Sequence, residues 1–175
     1  MNTITDRPIR VGIIGTGKIS HTHSEAIKLA DRILRGEGLK GLELVCAADQ
    51  NETSVREFCD SNSINGYGGR DAVFDLLDEN LDLVSITTPP CYHAFLAIQA
   101  MKGGKHVLVE KPIATSLQSA HNMIEVSHQM DVLLGVAYQK RFTGGIRFAK
   151  EAITSSLLRA LIDITINIPW SRGFE

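Results

Sequence analysis

The sequence predicts an α/β fold: a doubly wound, mostly parallel sheet with helices on both faces, followed by the opening of a second α/β domain. Three observations carry this. Short runs that are apolar on both faces alternate with amphipathic helical stretches, the pattern of a parallel sheet covered on both sides. A glycine loop, "GTGKIS" at 15–20, joins the first such run to the first helical stretch. The alternation changes after Phe142, where "TGG" at 143–145 breaks it.

Taken in order, "IRVGIIG" (9–15) reads as a buried strand and Lys18 to about Leu34 as a helix. "GEGLKG" (36–41) is a loop whose glycines permit a helix end and a turn. "LELVCAAD" (42–49) is the next strand, Glu52 to Cys59 a short helix, and "DAVFDLLD" (71–78) another helix. "LDLVSITT" (81–88) is a strand, Pro90 to Met101 a helix, and "HVLVE" (106–110) a strand. Leu117 to Met130 is helical and "DVLLGVAY" (131–138) is a strand. Beyond the break, Ile146 to about Ser156 reads as a helix and Leu161 to Ile168 as a new alternating strand. The expected division is a first α/β domain over 1–143 and the beginning of a second domain over 144–175. The last strand has no partner in the sequence, so it is expected to be disordered or to pair through its edge with another copy.

Composition narrows the function classes. An apolar fraction of 43% and a charged fraction of 22% are those of a globular chain, which argues against disorder. A net charge of -2 is unsuited to a broad nucleic-acid surface. Apolar runs such as Val107 to Val109 are too short to cross a bilayer, and no signal-like segment precedes Val11. Cys46, Cys59 and Cys91 are odd in number and widely spaced; this suits a reducing cytoplasm and supplies no zinc site.

"VGIIGTGKIS" places Gly15 and Gly17 between a strand and a helix, as in G-x-G-x-x-G with Ser20 at the third position. Either this is a small-residue turn, or Gly15 makes the tight turn and Gly17 lets backbone approach a pyrophosphate at the helix N-terminus. Asp49 closes the second strand, where a carboxylate can accept hydrogen bonds from the adenine ribose of NAD, or serve a turn or helix cap. It lies further from the glycines than the usual ~20 residues, and the loop at 36–41 accounts for the excess. Gln50 and Asn51 supply no arginine for a 2′-phosphate, which favours NAD over NADP. Thr87, Thr88 and Pro89 end another strand on the same rim, although Thr-Pro-Pro also starts helices without any ligand. His93 falls in the first turn of the following helix, where a lone histidine is ordinarily structural. Glu110 and Lys111 then end the "HVLVE" strand before Pro112, as a solvated strand end or as part of a site.

In this order, "GIIGTGKIS..H", Asp49, "TTPP..H", "GKHVLVEKP" and "YQKRF" resemble the Gfo/Idh/MocA oxidoreductases, over about residues 8–170. The resemblance implies an N-terminal Rossmann domain and a C-terminal α/β domain with a large open sheet. It implies that Gly15, Thr16, Gly17, Lys18 and Ile19 hold the pyrophosphate and Asp49 the ribose. Thr87, Thr88, Pro89 and His93 would line the cofactor, and Glu110 and Lys111 would face the nicotinamide ribose and the substrate. Lys111 would be the catalytic lysine, with a cis peptide before Pro112, and Gln139 and Arg141 would lie near the nicotinamide end. His23 is read as a packing residue; His21 and His23 fall on different helix faces, so no metal site is expected. The implied reaction transfers a hydride between NAD and a sugar, polyol or related substrate, in a protein that forms homo-oligomers at full length.

The chain departs from the family pattern in one respect. The family's D-x-x-x-H histidine has no counterpart: the last histidine is His128, and Asp163 is followed four residues on by Asn167. The expectation is therefore the NAD-binding half of an oxidoreductase, binding cofactor with negligible turnover. A non-catalytic NAD(P)-binding sensor and an inactive natural truncation are the alternatives.

Overall fold

The computed structural model describes residues 7–155. Its first strand, β1 (Ile9–Ile14), leads into α1 (Lys18–Gly36), followed by β2 (Leu42–Asp49), α2 (Glu52–Asn62), β3 (Asn65–Gly68) and α3 (Ala72–Leu77). The second half runs β4 (Leu83–Ile86), α4 (Pro90–Lys102), β5 (His106–Val109), α5 (Leu117–Gln129) and β6 (Leu134–Val136). The strands form one six-stranded sheet in the order β3-β2-β1-β4-β5-β6, and every pairing is parallel. This is the doubly wound arrangement the alternation predicts, reversing direction between β1 and β4.

Burial shows why these strands are apolar on both sides. Along β1 and β2 successive residues enter opposite cores, because side chains alternate across a pleated strand. Ile14, Cys46 and Ala48 join Leu76, Ala97, Met101 and Met123 from α3, α4 and α5. Ile13 and Ala47 join Val55, Phe58 and Cys59 from α2, with Ile27 of α1 packed against them. At the amino end of the sheet, Asp82 accepts from Arg7 Nη1 and Nη2 at 2.7 and 2.8 Å and from the Arg10 amide at 2.8 Å. The Arg7 hydrogen bond is the main reason the Asp82 carboxyl is held below its ordinary value.

Three details differ from the expectation. The strand β3, "NGYG", carries too little apolar signal to be read from sequence; it exists because its residues pair with Cys46 to Asp49 on the sheet edge. The final strand of the sheet covers only Leu134–Val136, since Asp131 adopts a left-handed conformation (φ 52°) just after α5. Gln139 and Arg141, which follow the strand expected at 131–138, fall in a short 3-10 helix, Gln139–Phe142.

Contacts divide the chain into two compact units between Ala137 and Tyr138, ahead of the expected break at 143. The described part of the second unit consists of that 3-10 helix and α6 (Gly144–Thr154), in which Ala152 is buried. The strand expected at 161–168 lies outside the described residues.

Candidate functional site

The carboxyl ends of the strands form a continuous rim. The Gly15 amide donates to Ala48 O, Thr87 to Ile14 O, Glu110 to Ile86 O and Ala137 to Val109 O, all at 2.8–2.9 Å. The first residue beyond each strand thus stays in the ladder, so the glycine loop, the Thr-Pro-Pro turn and the Glu-Lys-Pro turn emerge side by side. A crevice at this edge, where the strand order reverses, is where open α/β sheets take ligands.

The two loop glycines answer to different demands. Gly15 has φ +96°, and a Cβ there would lie 2.9 Å from Thr87 C, Thr88 N and Thr88 Cγ2. Neither backbone conformation nor space admits a side chain. Gly17 is different: its φ of -71° suits any residue, and an added Cβ would meet nothing within 4 Å. It is the N-cap of α1, yet no side chain caps this helix and its first turn holds no acidic residue. The uncapped donors and the positive end of the helix dipole face an open space that Gly17 keeps clear, an arrangement suited to a phosphate. Lys18 is exposed beside it, whereas Ser20 is buried and donates to Gly17 O at 2.6 Å.

Asp49 holds the turn at the end of β2 by accepting backbone hydrogen bonds. Its Oδ2 accepts from the Thr16 amide at 2.7 Å and lies 3.1 Å from Thr16 Oγ1, while Oδ1 accepts from the Asn51 amide at 2.9 Å. Asn51 in turn caps α2 by accepting from Thr53 and Ser54. The carboxylate therefore fixes the glycine loop to the start of α2. It offers about four lone-pair sites, so Oδ1 retains capacity for a ribose hydroxyl.

On the other side of the crevice, the expectation that Thr87 and His93 line the cofactor meets a different placement. Thr87 is buried and its hydroxyl donates to Gly15 O at 2.6 Å. The His93 ring is fully buried, with Nδ1 2.8 Å from Pro112 O and Nε2 2.9 Å from Thr88 O. It bridges the turns after β4 and β5 and acts on the rim through backbone. Pro89 is exposed, and the buried Thr88 Oγ1 has no hydrogen-bond partner among the described residues. Buried polar groups are normally satisfied, so this lone hydroxyl beside the glycine loop fits a site meant for a polar ligand.

Lys111 is exposed, and its bond to Pro112 is cis. Glu110 is buried at 6% exposure, its Oε2 accepting from the Lys111 amide at 3.0 Å and its Oε1 lying 3.1 Å from His23 Nε2. Thr16 is likewise buried and Ile19 half-buried. Gln139 and Arg141 belong to the second unit, where both are exposed. Sequence reading missed the polar partners Ser54 and Ser85, and no spacing signal could have found residues so far along the chain. Two surface clefts of ≈ 390 and ≈ 350 Å³ are lined by residues of α1 and β2 and of α2 and β3, and by none of the rim residues named above. A dinucleotide lies across the open edge of such a sheet rather than in a closed cavity.

Residues 9–138 match the family model GFO_IDH_MocA, an oxidoreductase family with an NAD-binding Rossmann fold. The chain is 28% identical over 150 residues to myo-inositol 2-dehydrogenase of Thermotoga maritima, covering 86% of this chain and 42% of that protein. It is 28% identical over 160 residues to glucose-6-phosphate 3-dehydrogenase of Bacillus subtilis, covering 90% and 41%. The WlbA dehydrogenase of Bordetella pertussis, solved with NADH and UDP-GlcNAcA, superposes with a TM-score of 0.78 at 30% identity, over 88% of this chain and 43% of that one. The chain thus spans about two fifths of the length of these curated relatives.

Proposed function

We propose a function from one premise: the chain belongs to the Gfo/Idh/MocA oxidoreductase family, with its NAD-binding Rossmann fold. It is the NAD(H)-binding part of an enzyme that moves a hydride between NAD and a hydroxyl or carbonyl carbon of a sugar or polyol. The substrate class is supported by relatives named as inositol and glucose-6-phosphate dehydrogenases. No helix among the described residues is long and apolar enough to cross a membrane. The free thiols at Cys46, Cys59 and Cys91 favour a cytoplasmic setting.

Bound NAD supplies a nicotinamide ring able to accept or return a hydride. The chain's own residues do the rest. The N-terminus of α1, kept open by Gly17 and flanked by Lys18 and Ile19, binds the pyrophosphate. Asp49 accepts from the adenine ribose and repels a 2′-phosphate. Thr88 Oγ1 offers an unused polar group beside the same crevice. Lys111 hydrogen-bonds the substrate oxygen and favours its alkoxide as the hydride leaves. These 175 residues include no Asp-x-x-x-His to exchange the proton, so as given they bind cofactor with negligible turnover.

The observation that carries this reading is Gly17. Neither its backbone angles nor its surroundings require glycine, but a ligand pressed against the helix N-terminus does. The test is NADH titration of the chain and of Gly17→Ala, followed by fluorescence, alongside thermal unfolding. Wild type should bind. The variant should lose at least about tenfold in affinity while unfolding within a few degrees of wild type. An undiminished affinity in Gly17→Ala would overturn the pyrophosphate assignment, and a wild-type chain that ignores NADH would overturn the function.

A further inference from the structure

Behind the Glu-Lys-Pro turn lies a buried polar chain drawn from three elements. His23 of α1, Ser85 of β4 and Glu110 beyond β5 are exposed by only 9%, 1% and 6%. His23 Nδ1 is 2.8 Å from Ser85 Oγ, and Nε2 is 3.1 Å from Glu110 Oε1. The other carboxylate oxygen of Glu110 accepts from the Lys111 amide. A packing role for His23 asks only for the volume of a ring. Here each ring nitrogen meets a side-chain oxygen from a different segment, and the pairing is satisfied when Nε2 carries the proton toward Glu110 and Nδ1 accepts from Ser85.

Serine, histidine and glutamate are also the residue types of a nucleophilic triad. Ser85 sits inside the sheet at 1% exposure, where no substrate reaches it, which leaves the set a positioning role. The carboxylate of Glu110 is equally withdrawn, with one oxygen on His23 and the other on Lys111's own backbone.

We infer that Glu110 serves this site by fixing the backbone at Lys111 rather than by holding a ribose, and that His23 is the positioning residue that keeps Glu110 in place. Because His23 lies on α1, the helix whose N-terminus forms the proposed pyrophosphate site also anchors the base of the catalytic lysine. The mechanical claim stands on the hydrogen bonds; its consequence for catalysis rests on the function proposed above.

The test is amide hydrogen exchange at Lys111 in the ¹⁵N-labelled, NAD-free chain, compared with the amides of Val11 and Ile13 in the core of β1. In His23→Gln the side-chain amide replaces the Nε2 donor. In Glu110→Gln the amide oxygen still accepts from Lys111, while its NH₂ donates to the other tautomer of His23. Both should keep Lys111 exchange within about threefold of wild type. His23→Leu fills the space without a donor and should speed that exchange about tenfold or more, leaving the β1 amides unchanged. Unchanged Lys111 exchange in His23→Leu would overturn the inference. So would His23→Gln behaving like the leucine variant, as a packing residue requires. Should His23→Leu not fold, His23→Gln alone decides: retained protection supports the inference, and lost protection or failure to fold overturns it. NADH titration of the same wild-type sample separates the two readings. Absent binding defeats the proposed function, while the exchange data still decide the positioning.

Discussion

The Asp49 carboxylate lies 2.7 Å from the Thr16 amide, so the end of β2 directly holds the glycine loop that follows β1. Asp49→Ser should therefore have two effects. NADH affinity should fall by about tenfold and discrimination against NADPH should relax, since the acceptor proposed for the ribose hydroxyls is lost. Thermal stability should also drop, because the Thr16 and Asn51 amides lose their acceptor. Titration with both cofactors and a melting curve check this; unchanged affinity for both would refute the ribose assignment.

Gly15→Ala should behave unlike the glycine two positions on. A left-handed backbone combined with 2.9 Å approaches to Thr87 and Thr88 leaves no relaxed solution. We expect a loss of roughly 2–5 kcal/mol, seen as a clear fall in unfolding temperature before any cofactor is added. Equal melting temperatures for the alanine variants at 15 and 17 would contradict the loop geometry.

The cysteines should separate by reactivity. Burial pushes the Cys46 thiol up to about 12 and raises Cys59 as well, while Cys91 is exposed. Since the thiolate is the reactive species, one thiol per native chain should react quickly with Ellman's reagent at pH 8. Cys91→Ser should abolish that fast phase, and denaturation should release three reactive thiols in wild type and two in the variant. Rapid labelling of Cys46 in the folded chain would show that its core is not closed.

Asp82 should contribute a pH-dependent part of stability. Its folded-state value is depressed, chiefly by the Arg7 hydrogen bond, below the roughly 3.9 of an unfolded aspartate. The contribution is therefore fully present above that unfolded value and disappears as pH falls through the lower folded one. Asp82→Asn should lower the unfolding temperature by a few degrees at pH 7, a modest effect because the pair is partly solvated. The gap to wild type should narrow towards pH 3, and a gap that widens in acid would refute the assignment.

Legibility differed element by element. The long strands β1 and β2 were readable because both faces are apolar, and Ile13 and Ile14 do enter different cores. The edge strand β3 was not, because pairing with β2, not its own side chains, makes "NGYG" a strand. Gly15, Gly17 and Asp49 could be named from loop chemistry at strand ends. The inward turn of Thr87 and the burial of His93 could not, since both depend on backbone carbonyls supplied by other segments.

The residue order by itself determined the alternation of strands and helices, the direction of the sheet and the glycine–aspartate rim. Those properties follow from side-chain periodicity and local backbone preference, which act over a few residues. Only the tertiary structure decided which polar groups meet. Glu110 lies 87 residues from His23, and they meet because β4 and β5 are neighbours in the sheet and His23 of α1 reaches both Ser85 of β4 and Glu110 beyond β5. A buried carboxylate needs hydrogen-bond donors, and it takes them from whatever the fold brings near.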